Sequence, residues 1–218
     1  MLTRDFIRKY SAEVLRFFLL SGHYRSTIDY SESHVKEVQS ALHRFYTALT
    51  KAELGASVTP TSTLKPTPEE EKVQSFSKEF DSKWKEAMDE DLNTAKVIGL
   101  VFEYVRLLNA YIDKKGFKPT AQTQSICASF VQSFKTLSQV LNIFGEAPKE
   151  FLNTLRMSVL SEKGILEKDI QEKISQRSEA RAKKDFATSD KIRNDLLLQG
   201  IELRDLPHGT EWDILFKS

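Results

Sequence analysis

The chain has 218 residues, 40% of them hydrophobic, and its 32 lysines and arginines nearly balance 31 aspartates and glutamates, for a formal net charge of +1. That length and apolar content suffice for one large or two small cored domains, and any affinity for a polyanion has to come from local patches rather than from overall charge. A single cysteine, Cys127, excludes an internal disulfide and a thiolate-rich metal site within one chain. No apolar run is long enough to span a membrane, and Arg4, Asp5, Arg8 and Lys9 interrupt the start where a signal peptide needs apolar residues, so a mainly helical, cytoplasmic protein is expected.

From the start, Phe6, Tyr10, Val14, Phe17 and Leu20 recur near helical spacing and predict a first helix over 6–20, stopped by Gly22. Ser31 is placed to cap a second helix, with Glu32 in its first turn and a stripe of Val35, Val38, Leu42, Phe45 and Leu49. Residues Thr50 to Pro68 turn to Thr, Ser and Pro without periodicity and read as a mobile link. Helix resumes near Glu69, with Val73, Phe76, Phe80, Trp84 and Ala87 on one face.

The alternating acids of Asp89-Glu90-Asp91-Leu92-Asn93-Thr94 do not make a calcium loop, because Thr94 stands where glycine is required and Leu100 where the bidentate glutamate belongs. They read as helix punctuation, with Asp91, Asn93 or Thr94 capping the next helix and its stripe of Ile98, Val101, Val105, Leu108 and Ile112. A further helix over 121–144 presents Ile126, Phe130, Phe134, Leu137, Leu141 and Phe144, which completes a bundle. Cys127 beside that stripe reads as a small buried hydrophobe, and His23, His34, His43 and His208 are too scattered for a metal site or a proton-transfer pair.

After Gly145 and Pro148, Phe151 to Gly164 reads as a joint with some helical character. A helix over 166–184 follows, with Ile170 and Ile174 inward and Arg177 and Arg181 continuing that line, stems covered and heads exposed. Asp185 caps another helix, whose inner residues include Ile192 and Leu196, and Gly200 stops it. Short strands at Ile201-Glu202-Leu203 and Trp212-Asp213-Ile214-Leu215 flank a turn at Pro207-His208-Gly209. The fold expected is mainly α: a helical bundle followed by a small α+β unit with a short hairpin.

Arg177, Arg181 and Lys184 fall at i, i+4 and i+7, a ridge of positive charge of the kind phosphate backbones select. Phe186 and Trp212 could stack on unpaired bases and Asp190 and Asp205 could accept from base amino groups, so RNA is the ligand suggested. The plainer reading is a solvated basic face with Phe186 and Trp212 in the core.

The stretch ARAKKDFATSDKIRNDLLLQGIELRD followed by GTEW resembles the anticodon-binding domain of cysteinyl-tRNA synthetase, a class I aminoacyl-tRNA synthetase. RDFIRKYSAEVLRFFLLSGHYRSTIDYSE resembles the family segment that follows its signature loop and contacts the inner corner of the tRNA, and EAMDEDLNTAKVIGLVFEYV resembles its helical bundle. The three stretches occur in the family's order. The resemblance implies a stem-contact segment at 1–30, a helical-bundle tRNA-binding domain at 31–148 and a small α+β anticodon-binding domain at 149–218. It also implies that Arg181, Phe186, Asp190 and Asp205 meet the anticodon, that Arg25, Arg177 and Lys184 meet phosphates, and that tRNA(Cys) is the partner.

The family's catalytic motifs, an HIGH-like tetrapeptide, a KMSKS-like loop and a zinc site, do not occur in this sequence, and its eight glycines form no nucleotide-binding pattern. The chain is therefore expected to be the C-terminal part of such an enzyme, monomeric, without bound cofactor or metal and inactive in cysteine-dependent pyrophosphate exchange. ATP, Mg and Zn would belong to the intact enzyme, and a separate catalytic chain is a conceivable partner. The residues also admit structural roles: Asp190 paired with Arg193, Asp205 shaping the hairpin, Phe186 sealing the interhelical turn. Two other functions fit the outline, a winged-helix-like DNA-binding module and a helical protein-interaction scaffold.

Overall fold

In the computed structural model, which describes residues 3–59, 66–206 and 209–216, the elements run α1 (Thr3–Tyr10), α2 (Ala12–Leu20), α3 (Glu32–Ser57), α4 (Pro68–Asp89), α5 (Thr94–Ile112) and α6 (Ala121–Leu141). They continue as α7 (Pro148–Lys163), α8 (Glu167–Ala182), α9 (Phe186–Leu198), β1 (Ile201–Leu206) and β2 (Gly209–Ile214). The chain divides into two compact units, Met1–Leu152 and Asn153–Ser218, whose boundary falls inside α7.

The first unit is the helical bundle. Its core is aromatic: Phe45 from α3, Phe80 from α4, Tyr104 from α5, and Phe130 and Phe134 from α6 are all fully buried. Their ring centroids lie 4.6–5.9 Å apart in tilted and edge-on pairs, the arrangement that ring quadrupoles favour. The expected stripes are buried in the main, although Leu20, Phe76, Ile112 and Leu141 are only half-buried. Side-chain oxygens cap the helix starts, at Ser31 as expected, at one of the three candidates before α5, and at Thr120, which the sequence reading did not name. Ser31 Oγ accepts from the His34 amide, Asn93 Oδ1 from the Lys96 amide and Thr120 Oγ1 from the Thr123 amide. A buried carboxylate, Glu13 of α2, accepts from Tyr46 Oη at 2.9 Å, the Phe144 amide at 2.6 Å and Arg16 at 2.9 Å, so it joins α2, α3 and the segment after α6.

Several boundaries differ from the sequence reading. The first helix is two, because Ser11 takes φ 97° and its hydroxyl accepts from the Val14 amide, offering the backbone a cap in place of a continuous ladder. The link expected from Thr50 begins later: Lys51, Ala52 and Leu54 are good helix formers, Ala52 is buried, and α3 continues to Ser57. Residues 60–65 of that link lie outside the described residues. The α6 helix ends at Leu141 rather than 144 because Asn142 is left-handed, φ 51°, and Phe144 reaches the core from beyond the helix end. The joint at 151–164 is a regular helix, α7.

In the second unit α8 and α9 pack together, and the antiparallel β1–β2 hairpin follows α9. Gly200, at φ 78°, closes α9 with a conformation that suits glycine, and an added Cβ there would meet Lys163 Nζ at 2.5 Å. Along the hairpin Ile201, Leu203, Trp212 and Ile214 face inward and are buried. The turn residues Pro207 and His208 lie outside the described residues.

Candidate nucleic-acid interface

The hairpin's period of two sets up the site. Asp205 is in phase with the buried Ile201 and Leu203, and its cross-strand partner Thr210 is in phase with Trp212 and Ile214. On α8, Ile170, Ile174, Arg177 and Arg181 advance by four, three and four residues, so both arginines lie on the face that begins with the buried Ile170. The two patterns meet on one carboxylate. Arg177 donates to Asp205 through both terminal nitrogens, at 2.7 and 2.8 Å, Arg181 Nη1 donates at 2.8 Å, and Thr210 Oγ1 donates at 2.8 Å.

Burial separates the two arginines. The Arg177 side chain is 6% exposed, whereas that of Arg181 is 48% exposed and that of Asp205 is 40% exposed. Arg177's hydrogen bonds, with those of Thr210 and Arg181, hold the Asp205 carboxyl well below the usual carboxylate range. Reciprocally, Asp205 raises the Arg177 pKa, and the charge of Asp190 adds to the same effect. The expected exposed head of Arg177 is therefore corrected: its guanidinium is buried on Asp205, and its Nε is buried without a hydrogen-bond partner among the described residues.

Around this cluster the other candidates divide. Phe186, the first residue of α9, is 62% exposed and does not seal the interhelical turn. Asp190, one turn further along α9, is exposed, and among the described residues no ion pair joins it to Arg193. Lys184 is exposed in a turn where its own amide bonds to the Arg181 carbonyl and the Asp185 amide to the Ala180 carbonyl, which turns the chain from α8 into α9. Trp212 is buried opposite Leu203 and is a core residue, not a platform for stacking.

Arg25 lies in the first unit, in a cluster of its own. Its Nε donates to Tyr24 Oη at 2.8 Å, Tyr24 Oη donates to Asp91 Oδ1 at 2.8 Å, and Arg25 Nη2 reaches the same oxygen at 3.1 Å. This ties the segment after α2 to the α4–α5 turn, with the Arg25 side chain still 68% exposed. Sequence reasoning missed both carboxylate partnerships. For Asp205 the signal was available in the shared phase of strand and helix; for Asp91, left-handed at φ 56°, it was not.

Among the described residues no group of three or more His, Cys, Asp or Glu could hold a metal ion, and no helix is long and apolar enough to cross a membrane. The Cys127 thiol is buried, which pushes its pKa up to about 11.

Residues 83–145, from the end of α4 through α6, match the DALR domain. Over nearly its full length the chain is also similar to cysteine-tRNA ligases. It is 36% identical to that of Syntrophotalea carbinolica over 209 residues, 96% of this chain and 42% of the relative. It is 37% identical to that of Nitratidesulfovibrio vulgaris strain Hildenborough and 36% identical to that of Geobacter metallireducens, each across 97% of this chain and 43% of the relative. Over almost all of its length the chain is thus similar to cysteine-tRNA ligases, and it spans about two fifths of the length of the curated relatives it matches.

Proposed function

We propose that this chain is the tRNA-docking part of a cysteine-tRNA ligase, with its second unit reading the anticodon of tRNA(Cys) and its bundle bearing on the rest of the tRNA. The observation that carries the reading is the match to cysteine-tRNA ligases over 96% of the chain. The chemistry of the second unit supports it. Phe186 offers a solvent-facing ring for an unstacked base, Asp190 an exposed acceptor, and Arg181 and Lys184 exposed cations of the same unit. ATP-dependent activation of cysteine and its transfer to the tRNA would be carried out outside these residues, where the ATP, Mg and Zn of that chemistry would also be held.

Binding of a cysteine-anticodon tRNA, measured at two salt concentrations against a DNA duplex as competitor, tests the reading. It predicts tRNA preference, with log K falling against log salt by about 0.7 to 0.9 per phosphate neutralised. Replacing Phe186 by alanine should weaken the tRNA by about 1 to 3 kcal/mol, the range for a lost base stack, and leave the salt slope unchanged. Equal affinity for the duplex would favour the winged-helix alternative, and no salt-dependent binding of either would favour a protein-interaction scaffold.

A further inference from the structure

The four donors on Asp205 are not equivalent. A carboxylate has about four lone-pair positions, and two are taken by the Arg177 fork, one by Arg181 and one by Thr210. An Asp205 that reads a base must first release a donor. Arg177 is the poorest candidate for release, being buried, two-pronged and left with a buried cation if it lets go. Arg181 is half-exposed and attached by one bond to Asp205, so water or RNA can replace it.

We propose that Arg177 is the positioning residue of the site, fixing Asp205, and that Arg181 and Thr210 are exchangeable donors that occupy the remaining acceptor positions until an RNA base amino group displaces one of them. The inference rests on the anticodon reading above. A buried ion pair is weak support for stability, and this one leaves the Arg177 Nε unpartnered, so its geometry is better explained by the orientation it gives Asp205 than by the energy it contributes. Arg177 then has no contact with RNA. Arg181, once displaced, turns to the RNA, where its charge counts in the salt dependence.

The test titrates tRNAs with the cysteine anticodon and with a swapped anticodon against the full chain and its Arg177→Lys, Arg177→Gln and Arg181→Gln variants, after thermal unfolding has verified that each is folded. Lysine keeps the charge but lacks the planar fork. Arg177→Lys should lose most of the preference between the two tRNAs with the salt slope unchanged, whereas Arg181→Gln should lower the slope by about 0.7 to 0.9. Arg177→Gln lowering the slope by that amount, with the preference retained, would overturn the proposal by making Arg177 a phosphate contact.

A wild-type chain that binds neither tRNA removes the anticodon reading itself, and the positioning role is then read without RNA. The carboxyl carbon resonance of Asp205 should titrate at markedly higher pH in Arg177→Gln than in wild type and shift much less in Arg181→Gln. The reverse order would refute it. If no Arg177 variant folds, the guanidinium resonances of the wild type decide: tRNA should move those of Arg181 and leave those of Arg177 in place, and the opposite pattern contradicts the assignment.

Discussion

Lys184 holds a left-handed backbone, φ 59°, at the position where helix ends most often place glycine. For a non-glycine residue that conformation costs about 1 kcal/mol. Lys184→Gly should therefore leave stability unchanged or raise it by up to about 1 kcal/mol, read as a higher unfolding midpoint. If Lys184 meets a phosphate, the same variant lowers the salt slope of tRNA binding, so one substitution separates its backbone role from its charge.

Asp205 carries a second residue-scale consequence. Its folded-state carboxyl sits below the ordinary aspartate range, so near pH 3 to 4 the unfolded chain binds more protons than the folded one. The stabilisation it gives is full above the unfolded value and is lost as pH falls. Asp205→Asn should be less stable than wild type at pH 7, partly because it leaves Arg177 buried beside a neutral amide, and the gap should narrow as pH falls below about 4. Denaturant midpoints of both proteins between pH 7 and 2 check this, and a gap independent of pH would remove Asp205 from the acid response.

At the scale of elements, α3 packs against α6, and at Gly55 an added Cβ would meet Cys127 Sγ at 2.5 Å. Gly55 lies in the last turn of α3, and the short distance to Cys127 makes packing the constraint on any larger residue there. Gly55→Ala should destabilise the bundle by about 1 to 3 kcal/mol through the overlap with the cysteine sulfur. In a Cys127→Ala background, with the sulfur removed, the same change should become neutral or stabilising. A double-mutant cycle by chemical denaturation measures this coupling, and additive effects would locate the clash elsewhere.

The elements also explain which parts of the fold were legible in sequence. Stripes such as Val35, Val38, Leu42, Phe45 and Leu49 announced α3 because every member meets the core. Caps at Ser31 and Asp185 were readable because a side-chain acceptor stands three residues before the amide it serves, and before α5 the reading narrowed the cap to Asp91, Asn93 or Thr94, of which Asn93 serves. The break at Ser11 was not, since the apolar spacing continues across it and only the backbone turns. The candidate site was legible as residue types and resemblance, and the shared phase of strand and helix carried a signal for the Asp205 pairing that went unread: Arg177 reads as one more cation on a basic ridge, and its burial follows from a strand 28 residues away.

For the whole molecule, the helical bundle and the hairpin-bearing unit together match cysteine-tRNA ligases over almost all of this chain, which supports the proposal that anticodon recognition resides in these residues. Near-neutral net charge makes that claim specific, because a chain at +1 has little overall field with which to hold nucleic acids indiscriminately. The most direct measurement is the ratio of dissociation constants of the purified chain for two tRNAs that differ only in the anticodon, at fixed salt. Base-edge recognition predicts tighter binding of the cysteine anticodon by about 1 to 3 kcal/mol, roughly 5- to 150-fold. Equal constants for the two tRNAs would contradict the account.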